Sequence, residues 1–184
     1  GLSELLFHEL THQRLYLSGD TDFNEALATA VGREGARRWL RASGRSAMLA
    51  TYEKELRVEK EFIAIALQSR EELRDVYART YRSSDNERAA KAAALDRLRR
   101  RLNALDRRYG GSLKIEKWFE KPVNNARLNT LATYYELVPG FEALLKKHHG
   151  DLELFFAEVK SMRALTKEHR AERLHALART ATVD

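Results

Sequence analysis

Apolar positions recur at helical spacing along nearly the whole chain. A first helix is predicted over about residues 2–17, stopping at Ser18-Gly19-Asp20. Thr21 or Asp20 can cap a second helix over 22–31, because a short side-chain oxygen there satisfies free N–H groups. A short amphipathic piece over 36–40 follows and breaks at Gly44. Next comes a long segment over 46–81, with an apolar stripe through Met48, Tyr52, Leu56, Phe62, Ile63, Leu67, Leu73, Tyr77 and Tyr81. Ser84 and Glu87 form a capping-box pattern. Leu95, Leu98, Leu102, Leu105 and Tyr109 then keep heptad spacing. Two long helices joined by a short turn predict an antiparallel hairpin over 46–109, ended by Gly110-Gly111. Shorter helices are predicted over 115–120, 125–138, 141–149, 151–165 and 166–179. No segment alternates with period two, and no repeat recurs. The expectation is all-α: one helical domain with a subdomain of shorter helices over 1–43, a long protruding hairpin over 44–110 and C-terminal helices over 111–184.

Composition narrows this picture. The 184 residues contain no cysteine, which excludes disulfide frameworks, thiolate metal sites and cysteine nucleophiles. Two prolines and nine glycines are too few for a β-sandwich or barrel, which turns every ten residues or so. No run of apolar residues reaches the length of a transmembrane helix. The formal charge of +6 is uneven, with eight basic against four acidic groups over 85–110. A basic stripe can hold an anionic partner. No aromatic side chains alternate with Arg97, Arg99, Arg100, Arg101, Arg107 and Arg108 to stack bases, so a solvated helix face is expected and no nucleic-acid partner.

One motif carries chemistry. His8-Glu9-Leu10-Thr11-His12 places two imidazoles one helical turn apart on one face, where both can hold a zinc ion. Glu9 stands beside them, placed to take a proton from a water. At this composition chance supplies roughly 0.02 such patterns per chain. A third ligand is expected from Glu25, in Asn24-Glu25-Ala26, because Ser18-Gly19-Asp20-Thr21 lets the chain reverse; Glu34 or another acid is the alternative. Asp20, Asp22, Asn24 and Thr29 are the candidates to orient the imidazoles by hydrogen bonding. The other histidines, His148, His149, His169 and His175, lack ligand spacing and read as surface residues. Tyr134, Tyr135 and Arg127 share a helix face and could steady an oxyanion, against the alternative of core tyrosines and a surface arginine. The first helix is apolar almost all round, which predicts burial in a complete protein and an exposed apolar face in this segment.

These residues carry a resemblance. Leu5 to Gln13, followed by Asp20 to Ala26, resembles the bacterial family named putative or predicted aminopeptidase. Asn124-Asn125-Ala126-Arg127-Leu128, Tyr134 and Val138-Pro139-Gly140-Phe141 resemble its C-terminal block. More widely, Asn-Glu-Ala is similar to the third-ligand element of gluzincin metallopeptidases. The resemblance implies zinc on His8, His12 and Glu25, Glu9 as the base, Tyr134 as a catalytic donor, and Asn125 and Arg127 in substrate binding. It implies a peptide substrate and a bacterial cell-envelope location, periplasmic or lipoprotein-anchored. Membrane association would then come through a leader ahead of Gly1, since the chain reads as the later part of the family's sequence. Gly32 stands where an acidic residue is expected. The function expected is a zinc-dependent peptidase. The alternatives are a zinc protein without catalysis and a helical interaction module built on the 46–109 hairpin.

Overall fold

The computed structural model describes residues 1–111, 113, 115–121 and 123–181, with residue 125 described by its backbone alone. Among these residues there are helices and no strand, so the fold is all-α. The helices are α1 (Leu2–Arg14), α2 (Thr21–Ala42), α3 (Ser46–Ala78), α4 (Ser84–Arg108), α5 (Ile115–Phe119), α6 (Asn125–Tyr135), α7 (Val138–Lys147), α8 (Leu152–Ser161) and α9 (Lys167–Thr180). A 3-10 turn, Met162–Ala164, follows α8. None of the described helices is long and apolar enough to cross a membrane.

The chain forms two compact units. The first is Gly1–Leu49 with Thr133–Asp184, and the second is Ala50–Ala132. The expected segment boundary at 110/111 thus falls inside the second unit.

The first unit is built around α2. Its N-cap is Asp20, whose side chain accepts from Phe23 N–H. One face of α2, with Phe23, Leu27, Ala30 and Val31, packs into a core with Phe141 and Leu144 of α7, Phe155 and Val159 of α8, Met162 of the 3-10 turn and Leu174 of α9. The Phe23 and Phe141 rings meet edge to face at 5.0 Å, a favoured aromatic geometry. Gly140 lets α7 and α9 touch, since a Cβ there would lie 2.4 Å from Leu174 O. Pro139 falls in the first turn of α7, where no intrahelical N–H is needed. That is why α7 starts at Val138 and not after the proline.

The sequence pattern ends the second helix at Val31, but α2 continues to Ala42. Gly32 and Gly35 are not breakers here. They are the floor on which α1 lies. A Cβ at Gly32 would stand 2.9 Å from Glu4 O, and one at Gly35 would stand 2.4 Å from the Phe7 ring. Close packing outweighs the roughly 1 kcal/mol that a mid-helix glycine costs. On its other side α1 is open: Leu2, Leu5, Leu6 and Leu10 are 47–84% exposed.

In the second unit α3 and α4 pair antiparallel. Glu72 binds Arg97 and Arg101, while Glu61, three turns earlier, binds Arg108 and Tyr109 farther along. Leu73 and Ala66 of α3 are buried with Ala94, Leu98 and Leu102 of α4, and Ile115, Val123 and Leu128 close the cluster. Ser83, one residue before the expected cap, starts α4 by accepting from Asn86 N–H. Arg99 also has a carboxylate, Glu116 at 3.6 Å. Much of the basic stripe is therefore neutralised within the unit.

Glu158 ties the last three helices of the first unit together. Lys147, His148 and Arg173 all converge on its carboxylate within 2.7–3.0 Å. Burial opposes ionisation, but hydrogen bonds from Lys147, Arg173 and His148 outweigh it and hold the carboxyl at about 2, against an ordinary 4.5. A folded-state value below the unfolded one contributes stability above pH 4.5, lost as pH falls towards 2. The shift represents roughly 3 kcal/mol, of which solvent screening leaves about 1–2. Glu158→Gln should therefore lower the melting temperature at pH 7 by several degrees. The difference from wild type should fade as melts are repeated from pH 4.5 down to 2. Gly35→Ala should destabilise by about 1–3 kcal/mol in urea unfolding through overpacking against Phe7. Stabilisation by Ala, the outcome helix propensity alone gives, would show that the α1–α2 contact is loose.

Candidate metal centre

Close contacts join α1 to α2 along the crossing. Phe7 meets Gly35, Glu4 and His8 meet Gly32, and His8 and His12 meet Glu25. The last of these meetings is the site. His8 Nε2 and His12 Nε2 are 3.1 Å apart. Glu25 lies between them, with Oε2 at 3.4 Å from His8 Nε2 and Oε1 at 3.7 Å from His12 Nε2. The three side chains are about one-fifth exposed, so the donors are sheltered but reachable. Among the described residues this is the one group of three or more ligand-type side chains that could hold a metal ion. Glu34, the alternative third ligand, is instead paired with Arg38 at 2.8 Å.

Four tetrahedral ligands about 2.0–2.1 Å from a zinc ion stand ~3.3 Å from one another. The observed separations of 3.1, 3.4 and 3.7 Å bracket that edge length. His12 Nδ1 is buried with no hydrogen-bond partner. A ring bound through Nε2 would carry its proton on that atom; two imidazole nitrogens and a carboxylate at these separations are a donor set that fits zinc. Glu9 follows His8 on α1 and is exposed to solvent, where water and substrate can reach it.

What brings Glu25 to the histidines is its neighbour. Asn24 is 1% exposed, and its amide clamps the reversing loop: Oδ1 accepts from Leu17 N–H at 2.9 Å and Nδ2 donates to Leu17 O at 2.7 Å. Asp20 does similar work from the other side. It caps α2 and receives both Nε and Nη2 of Arg170 from α9 at 2.8 Å. Lys167 bonds Asp22 at 2.8 Å beside it. Among the described residues no hydrogen bond runs from Asp20, Asn24 or Thr29 to either imidazole. The first two orient the backbone that carries Glu25 and not the rings themselves, because their polar atoms are already engaged. Thr29 is half-buried one turn after Glu25. Arg170 was invisible to sequence reasoning, since its partner lies 150 residues away.

The remaining expected residues lie elsewhere in the chain. Tyr134, at the end of α6, is 41% exposed and has no hydrogen bond, ion pair or ring contact to the three donors. Arg127 belongs to the second unit. Its Nη1 donates to Trp118 O at 2.7 Å and Lys121 O at 3.1 Å, and its guanidinium lies 4.1 Å from the Trp118 ring centre. The side chain of Asn125 lies outside the described residues.

A family model described as "Putative aminopeptidase" matches residues 1–174. An all-α fold carrying a sheltered His-His-Glu group thus comes with a match over nearly the whole chain. The chain belongs to the putative aminopeptidase family. Neither the curated proteins nor the solved structures yielded a match.

Asn24→Ala removes both bonds to Leu17 and frees the loop. If the three donors hold a metal ion, the change should weaken its binding at least tenfold, the lower end of the cost of losing a group that orients a ligand, in a chelator-competition titration. Unchanged affinity would show that the loop holds its shape without Asn24.

Proposed function

We propose that this protein is a zinc-dependent peptidase, with His8, His12 and Glu25 holding the metal and Glu9 acting as general base. The observation that carries the reading is the spacing of three neutral or anionic donor atoms at a tetrahedral edge length, with a free carboxylate next along the same helix. Bound there, a zinc ion supplies a Lewis acid that makes water nucleophilic near neutral pH and polarises a carbonyl. The chain's own contribution is proton handling and placement. Glu9 accepts a proton from the attacking water as its oxygen bonds to the carbonyl carbon of the peptide. Glu9 then returns that proton to the amide nitrogen as the C–N bond breaks, leaving a carboxylic acid and an amine. Family membership supports a peptide as substrate.

The test pairs metal content with one conservative substitution. The purified chain should bind one zinc ion, and His8→Ala or His12→Ala should abolish that binding. Glu9→Gln should keep zinc and lose hydrolysis of a panel of amino-acid anilides and quenched peptides by about 10²-fold or more, the usual range for a general base. A wild-type chain that binds no zinc ends the reading, and full activity in Glu9→Gln ends the mechanism.

A further inference from the structure

Tyr16 packs its ring against His12, one of the three metal-type donors. The helix α1 ends at Arg14, and Leu15 turns extended with φ −149° and ψ 123°. In an extended run successive side chains point to opposite sides. Leu15 and Leu17 are buried at 4% and 8%, so Tyr16 between them faces out and is 57% exposed. That direction is fixed by the backbone on both sides. Leu15 N–H bonds Thr11 O at 2.9 Å, and both backbone polar groups of Leu17 are held by Asn24. The ring therefore stays at the end of the His8–His12 row. It meets the His12 ring edge to face, with centroids 6.2 Å apart and planes at 70°.

Its phenol has no hydrogen-bond partner among the described residues. A solvated surface tyrosine would also lack one. Two facts separate the cases: the backbone bearing this ring is clamped by the residue next to Glu25, and the ring touches a metal-ligand histidine. The other donors considered from sequence lack such a link. Arg127 is engaged by two carbonyls and the Trp118 ring. Tyr134 has no recorded tie to His8, His12 or Glu25.

We propose that Tyr16 is a catalytic residue whose phenol donates a hydrogen bond to the scissile carbonyl oxygen of a bound peptide as negative charge develops on it. The proposal rests on the zinc-peptidase reading. A donor aimed at charge present only in the transition state acts on kcat, and leaves ground-state binding nearly untouched.

The experiment compares the full wild-type chain with Tyr16→Phe and Tyr16→Ala. Zinc affinity comes from chelator competition, kcat and KM from the best-cleaved peptide of the panel, and calorimetry gives the affinity of a phosphinate analogue of that peptide. Tyr16→Phe keeps the ring and loses only the hydroxyl. It should bind zinc as wild type does, lose about 10²-fold in kcat with KM nearly unchanged, and bind the phosphinate more weakly by a similar factor. Tyr16→Ala should behave like Tyr16→Phe in kcat. If Tyr16→Phe keeps kcat and phosphinate affinity with zinc in place, the assignment of Tyr16 fails and the peptidase reading stands. If Tyr16→Phe loses zinc, the residue is structural and the assignment fails. If wild type binds no zinc, both fail together.

Discussion

The distance between α1 and α2 governs everything else in the first unit. Two glycines set it. At Gly35 the place of a Cβ is already filled by the Phe7 ring, and at Gly32 by the Glu4 carbonyl and the His8 side chain. His8 and His12 stand on one helix and Glu25 on the other, so the ligand triangle is only as good as this contact. Metal sites tolerate about 0.2 Å in ligand distance. An extra methyl at the crossing would shift the helices by more than that. The opposite face of α2 is bonded into the core through Phe23, Leu27 and Ala30. Glu25 is therefore carried on a rigid element, and α1 is laid against it.

The loop between the two helices supplies the second constraint. Gly19 adopts φ +80°, which only glycine takes without strain, and the chain reverses there. A reversal alone does not fix register. Asn24 does, by bonding both backbone groups of Leu17, and Asp20 anchors the start of α2 to Arg170 of α9. A buried ion pair such as Asp20–Arg170 adds little net stability once desolvation is counted. Its effect is specificity of place. It explains why a helix 150 residues distant belongs to the unit that carries the metal donors.

The candidate ligands were legible in the sequence because the relation of the two histidines is local. Two histidines four residues apart share a helix face whatever the tertiary structure. Asn24-Glu25 followed a loop short enough to allow only one kind of return. The pattern ends the second helix at Val31, whereas close packing of Gly32 and Gly35 against α1 carries α2 on to Ala42. The cap of α4 was displaced by one residue, since Ser83 and Ser84 are equivalent as sequence and only the backbone distinguishes them. The basic stripe of α4 reads in sequence as a solvated helix face; that Glu61 and Glu72 of α3 neutralise part of it across the hairpin is a tertiary fact no local pattern carries. The Glu158 hub and the Asp20–Arg170 pair depend on contacts between distant segments, and no local pattern encodes them.

A helix with a single buried residue thus bears two of the three candidate ligands. In α1 only Thr11 is buried, while four leucines face solvent. Apolar burial of its own does little to hold it. What holds it is the glycine floor, the clamp on Leu17, and Arg14, which bonds Glu153 and lies 4.3 Å from the centre of the Phe156 ring. A metal on His8, His12 and Glu25 would add one more tie, joining α1 to α2 directly. Whatever binds the docked arrangement and not the undocked one stabilises it by mass action. On the proposed reading the same three side chains would do two things with one geometry: hold the metal and fasten α1, the helix that carries Glu9. Glu9 shares this dependence, since it lies on the same turn of α1 as His8 and moves with it.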